Sequence, residues 1–180
     1  MPVPYVHSGY ERNAEDHYPT IDERCTYALL EHFPLQGRVI DICAPTVSGI
    51  TQVLRTQGAE VLDWPDAFTP WDYRPTDIIV TNPPYSRPTV DRILDYAKHL
   101  VEQETITAAA FLMRTNFDHA QSRKQFFTAR SYHGQIKLLF RPWWSEERQA
   151  HPIHNYVWHI WRARRPAAPP SVWYGYGVTP

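Results

Sequence analysis

Short apolar runs bounded by glycine, proline and aspartate alternate along this chain with longer stretches of helical character. Residues 38–42, 60–62, 77–81, 106–113, 136–140 and 156–161 are rich in Val, Ile, Leu and aromatic side chains. Runs of that length and composition predict strands buried on both faces, as in a parallel sheet. Between them lie predicted helices. Thr20-Ile21-Asp22-Glu23 has capping-box spacing and opens a helix over 21–32, which Pro34 and Gly37 end. Ser48 is placed to cap a helix running to Thr56 and stopped near Gly58. Pro88 suits the first turn of a third helix, over 88–101, and a short fourth is expected over 118–127. This alternation predicts an α/β chain with a doubly wound, mostly parallel sheet covered on both faces. Residues 63–75, with three prolines, are too few for a further helix and strand, so the sheet is a minimal one.

At 180 residues the chain is one domain by size, assigned to 1–165. Pro166-Ala167-Ala168-Pro169-Pro170 opens what reads as a flexible, proline-rich tail over 166–180. No apolar run is long enough to span a membrane, and no signal peptide is apparent, so a cytoplasmic protein is expected. Two cysteines, Cys25 and Cys43, fit a reducing compartment. Net charge is only −1, but its distribution is uneven. Residues 1–110 carry sixteen acids against eight Lys/Arg, and residues 111–180 three acids against ten. Most of the latter are arginines, the side chain suited to forked phosphate contacts, which points to a polyanionic partner.

The chemistry centres on Asn82-Pro83-Pro84-Tyr85, directly after the run Asp77-Ile78-Ile79-Val80-Thr81. In open α/β sheets ligands sit beyond the carboxyl ends of the strands, where this tetrapeptide falls. An exocyclic amine on a nucleobase is a poor nucleophile because its lone pair is delocalised into the ring. An amide oxygen and a backbone carbonyl that accept its two hydrogens draw charge onto nitrogen and aim the lone pair at an electrophile. Two prolines stiffen the corner and remove backbone donors. Tyr85 offers a flat face to an extruded base.

Asn82-Pro83-Pro84-Tyr85 resembles the catalytic loop of S-adenosylmethionine-dependent amino-group methyltransferases that modify adenine N6 or cytosine N4 in DNA. Upstream, Asp16-His17-Tyr18-Pro19-Thr20 resembles their methionine-side cofactor motif, and Val39-Ile40-Asp41-Ile42-Cys43-Ala44 the strand and acidic turn of their cofactor loop. The order of these elements is similar to that of the small phage and prophage DNA adenine-N6 methyltransferases. So are the segments Phe111-Leu112-Met113-Arg114, Arg141-Pro142-Trp143-Trp144 and Tyr156-Val157-Trp158-His159-Ile160-Trp161. The resemblance spans residues 11–162, and only the catalytic loop is specific by itself. It implies a Rossmann-like class I methyltransferase fold, S-adenosylmethionine as cofactor, DNA as partner, and adenine-N6 methylation with base flipping. The chain departs from the family where a glycine-rich turn is usual. Ala44-Pro45-Thr46-Val47-Ser48-Gly49 has a single, late glycine, leaving Ser48 and Gly49 to make the close approach.

By the resemblance, Tyr18, Pro19 and Thr20 line the methionine end of the cofactor, and Asp41, Cys43 and Ala44 form its loop. Asp63 is expected at the ribose hydroxyls and Asp66 at the adenine amine. Turn-forming roles for these aspartates, a simple cap role for Thr20 and a packing role for Cys43 stay open. Arg87, Arg114, Asn116, Arg141, Trp143 and Trp144, with Tyr85, are the expected DNA contacts. The tryptophans serve equally well as core or lid aromatics. His151, His154 and His159 lack ligand spacing and cysteine partners, so no metal is expected. The same loop chemistry also suits cytosine N4, RNA or a glutamine amide. A nucleic-acid-binding relative with an eroded cofactor loop is the non-enzymatic alternative. Sequence alone leaves the oligomeric state open between monomer and homodimer.

Overall fold

The structure is a computed structural model, and it describes residues 20–44, 48–64, 67–68, 72–144, 152–164 and 167–178. Four helices and seven strands follow one another along the chain. They are α1 (Arg24–Leu30), β1 (Val39–Asp41), α2 (Gly49–Thr56), β2 (Val61–Asp63), β3 (Ile78–Thr81) and α3 (Thr89–Glu102). After these come β4 (Ala108–Arg114), α4 (Lys124–Phe127), β5 (Tyr132–Leu138), β6 (Tyr156–Arg162) and β7 (Ser171–Gly175). All seven strands join one sheet in the order β2-β1-β3-β4-β6-β5-β7. Every pairing is parallel except those of β6, which runs antiparallel between β4 and β5.

Period-two alternation sorts the core into two layers. On β4, Ala109, Phe111 and Met113 meet the apolar side of α3, through Val90, Ile93, Leu94, Ala97, Leu100 and Val101. Ala108, Ala110 and Leu112 face the other way, onto Cys25, Ala28 and Leu29 of α1 and Ile50 and Leu54 of α2. Each buried Val, Leu or Ile in these layers contributes roughly 1.5–3 kcal/mol. Arg38 clamps β1 to β3 at the amino edge, its Nε and Nη2 donating to the buried Asp77 carboxylate at 3.0 and 2.7 Å. The carboxyl ends of β1, β3 and β4 are thereby aligned at the opposite edge.

The structure corrects several expected elements. The tail is the largest: Ser171–Gly175 forms β7, parallel to β5, and extends the sheet. Gly134 allows this pairing, because its φ of +149° suits glycine and a Cβ there would collide with the Ser171 carbonyl. The predicted strand 136–140 lies earlier, at Tyr132–Leu138, with a register shift between Tyr132 and Gly134. The helix over 118–127 resolves into two 3-10 turns and the short α4, held by buried Arg123. The capping box does not form. Asp22 instead accepts from the Arg24 backbone and guanidinium and from the Trp143 backbone N–H.

His159 lies fully buried on β6, its Nδ1 2.9 Å from the Tyr132 hydroxyl and Nε2 without a partner. Burial lowers its pKa from 6.5 to about 3. The folded-state value is depressed, so this group's contribution is full above pH 6.5 and is lost as pH falls toward about 3. Each pH unit in that window costs about 1.4 kcal/mol. Urea unfolding of His159→Phe alongside the unaltered protein should show a flatter acid limb for the variant. Parallel pH profiles would mean that His159 is protonated equally in both states.

Candidate active site

Thr81 and Asp41 end adjacent parallel strands, and a hydrogen bond joins them. The Thr81 hydroxyl donates to Asp41 Oδ1 at 2.6 Å, and the Cys43 backbone N–H donates to the same oxygen at 3.2 Å. Asp41 is 1% exposed. Burial pushes its pKa up to about 6; these two hydrogen bonds and one from the Ser48 side chain pull the other way, and Asp63, its register partner on β2, adds like-charge repulsion. A carboxylate in that position weakens the fold rather than supporting it. Sequence reading passed over Thr81, although a hydroxyl at the last position of a strand directly before the loop was the available signal.

Asn82 follows Thr81 directly, so the Asn82-Pro83-Pro84-Tyr85 loop leaves β3 beside the β1 turn. Pro83 and Pro84 are buried, and Asn82 and Tyr85 half-buried. The Tyr85 hydroxyl lies 2.6 Å from Asn82 Oδ1 and 3.1 Å from the Leu112 carbonyl of β4, both of which can accept its proton. Burial raises the phenol well above its ordinary range, so it is a donor at physiological pH. Its ring sits 6.2 Å from that of Tyr156, and the Arg114 guanidinium lies over it at 5.4 Å. A base stacked on that face has to share or displace Arg114. An amide oxygen has two lone pairs, so Asn82 can hold Tyr85 and still accept a second proton.

On the cofactor side, Tyr18, Pro19 and Asp66 lie outside the described residues. Thr20 is buried against the start of α2, where its carbonyl accepts from the Gly49 backbone N–H at 2.6 Å. A Cβ on Gly49 would stand 2.6 Å from that same oxygen, so glycine is needed there for close contact between two chain segments. The Thr20 hydroxyl is buried without a partner, and the buried Ser48 hydroxyl faces the Asp41 carboxylate and steadies its charge. An orphaned hydroxyl at the start of α2 and a buried carboxylate held by hydroxyls fit a ligand that brings its own polar groups, such as the amino-acid or nucleoside parts of S-adenosylmethionine. Cys43 and Ala44 are buried in the turn, with Cys43 packed into the α3-side core. Asp63 is exposed and ion-paired with Arg55, so a ribose would compete with that guanidinium.

The expected substrate residues divide. Arg114 and Asn116 end β4 and begin the following turn, and Trp144 packs on Tyr156 at 4.8 Å between ring centroids. Arg114 and Trp144 are near the loop, through Tyr85 and Tyr156 respectively. Arg141 is exposed, bonded to Asn155 Oδ1 at 3.1 Å and the Pro152 carbonyl. Arg87 is committed to Asp91 and Ser122, and Asp91 also accepts from Arg123. The basic C-terminal half does not make one face. Arg162 and Arg164 stand at the amino edge, where Arg164 pairs with Glu104. Tyr156 is a contact that sequence reading placed only within a strand; its partnership with Tyr85 depends on antiparallel β6. A cavity of about 670 Å³ lined by Gly37, Leu54 and Glu60 opens at the amino edge, away from this site. Among the described residues, no three His, Cys, Asp or Glu side chains gather to hold a metal. Nor is any helix there long and apolar enough to cross a membrane.

No protein-family model matches the chain, and no curated protein does. Among solved structures, it is similar to a candidate class I S-adenosylmethionine-dependent methyltransferase from Listeria monocytogenes. The TM-score is 0.55 at 14% identity, covering 91% of this chain and 67% of the other. A mutant of Spodoptera frugiperda DNMT2 aligns at a TM-score of 0.45 and 13% identity, over 88% of this chain and 53% of the other. The first likeness is one of fold: the mixed sheet is that of a Rossmann-like class I methyltransferase.

Proposed function

We propose that this protein is an S-adenosylmethionine-dependent methyltransferase acting on the exocyclic N6 amine of adenine in DNA. The observation that carries this reading is the hydrogen bond from Thr81 to Asp41. It couples the Asn82-Pro83-Pro84-Tyr85 corner to the acidic turn within one strand spacing, so that a loop suited to a planar amine adjoins a polar cradle suited to the cofactor. Bound in that cradle, S-adenosylmethionine supplies an electrophilic sulfonium methyl. Asn82 Oδ1 and the Pro83 carbonyl accept the two amine hydrogens, which fixes the nitrogen and raises its electron density. With the cofactor bound, the nitrogen would gain the methyl carbon as the sulfonium C–S bond breaks and S-adenosylhomocysteine leaves, and one proton would pass to water, so no general base is required. Tyr85, half-buried beside the corner and backed by the buried Tyr156 ring, supplies aromatic surface for an extruded base.

Tritiated methyl transfer from S-adenosylmethionine to DNA, RNA and protein, followed by nucleoside mass analysis, tests the reading. N6-methyladenine in DNA is the expected product. Methylcytosine, labelled RNA or labelled glutamine would replace the substrate assignment while keeping the chemistry. Absence of transfer together with no calorimetric heat on adding S-adenosylmethionine would favour a nucleic-acid-binding protein without catalysis.

A further inference from the structure

A second cleft opens at the carboxyl edge, between the ends of β4, β5 and β7 and the start of β6. Its volume is about 330 Å³, and Thr115, Lys137, Leu139, Arg141, Asn155 and Tyr174 are among its lining residues. That size is at the lower end for a ligand pocket and suits a single nucleotide rather than a duplex. Two cations line it and no carboxylate does. Lys137 is exposed, and no acid among the described residues pairs with it. Among the described residues Arg141 is oriented by neutral acceptors, the Asn155 side chain and the Pro152 carbonyl, and no acid there cancels its charge. Opposite these cations are apolar surfaces. Leu139 and Tyr174 are each 51% exposed, and the register of β5 with β7 sets Tyr174 beside Lys137.

Two of its lining residues are chain neighbours of residues at the candidate active site. Thr115 follows Arg114, whose guanidinium lies over Tyr85, and Asn155 precedes Tyr156, whose ring meets the same tyrosine. The Arg114 guanidinium, over Tyr85 and bonded to the Tyr156 hydroxyl, adds positive charge at the end of β4. Fixed cations next to an exposed aromatic face are the combination that binds single-stranded nucleic acid, phosphate on one side and base on the other.

Resting on the proposed nucleic-acid substrate, we infer that this cleft is a subsite for a nucleotide neighbouring the one presented to Asn82. Lys137 and Arg141 hold its phosphate and Tyr174 stacks its base. The strand β7, which sequence reading left in a flexible tail, thereby becomes part of the substrate surface.

The test is fluorescence-anisotropy binding of a short adenine-containing single-stranded oligodeoxynucleotide to the full-length protein, Lys137→Glu and Tyr174→Ala, across a salt series. Both side chains are exposed, and unchanged melting and unchanged calorimetric affinity for S-adenosylmethionine will show that the variants are folded. Tyr174→Ala should bind roughly five- to a hundredfold more weakly, the range for loss of one base stack. Lys137→Glu should reduce the slope of log K against log salt by about 0.7, one phosphate contact. Both losses together support the subsite. Variants that bind like the unaltered protein overturn the cleft and leave the proposed function standing. An unaltered protein that fails to bind overturns both.

Discussion

Asn82→Ala should lower the rate of methyl transfer on the order of 10²–10³-fold, the usual cost of removing one preorganised polar contact at a reacting centre. Two features of the site make that loss specific to chemistry. First, the Tyr85 hydroxyl has a second acceptor in the Leu112 carbonyl, so removing the amide leaves no buried donor orphaned and the corner keeps its anchor on β4. Second, the acidic turn is tied to the loop through Thr81, the residue before Asn82, and that bond survives the substitution. Affinity for S-adenosylmethionine by calorimetry should therefore stay within about twofold, since Thr20, Ser48 and Asp41, which are proposed to hold it, are untouched. Single-turnover transfer and calorimetry on the same preparations check both halves. Residual activity within tenfold of the unaltered protein would remove Asn82 from the chemistry.

Asp41→Asn is expected to act in the opposite sense on stability and on binding. The folded-state pKa of this carboxyl is raised from 3.8 to about 6. Its contribution to stability is therefore fully present below pH 3.8 and is lost as pH rises to about 6. At neutral pH the ionised side chain costs up to about 3 kcal/mol, at 1.36 kcal/mol per unit. An amide at this position still accepts from Thr81 and Cys43 and carries no charge. The variant should be more stable than the unaltered protein above pH 6, and their urea midpoints should converge toward pH 4. Affinity for S-adenosylmethionine should fall at least tenfold, because a carboxylate accepts where an amide also presents donors. A variant that is destabilised at neutral pH would make Asp41 a structural residue. His159 titrates over an overlapping range with the opposite sign, so only differences between variants, not the raw profile, assign either group.

Much of the fold was legible along the chain because buried parallel strands need continuous apolar runs, and Val39–Asp41, Ile78–Thr81 and Ala108–Arg114 have them. That the Asn82-Pro83-Pro84-Tyr85 corner ends β3 was legible for the same reason: a proline pair can only end a central strand. Helix ends were harder to read. Asp22 found better partners in Arg24 and Trp143 than a capping box offers, and Trp143 lies 121 residues away. The tail misled because prolines at its start read as disorder, whereas the five residues after them pair with a strand nearly forty positions earlier. Local composition carries no trace of such a partner.

By itself the sequence determined the alternation of strands and helices, the corner after β3 and the chemistry that corner suits, all of which depend on neighbours in the chain. Tertiary structure decided what each polar group is paired with. Asp41 gained Thr81, Asp63 gained Arg55, Tyr85 gained Asn82 and Leu112, and Lys137 has no acid beside it among the described residues. Such pairings arise where strands distant in sequence end side by side, and burial there sets both the pKa of Asp41 and the direction in which Tyr85 points.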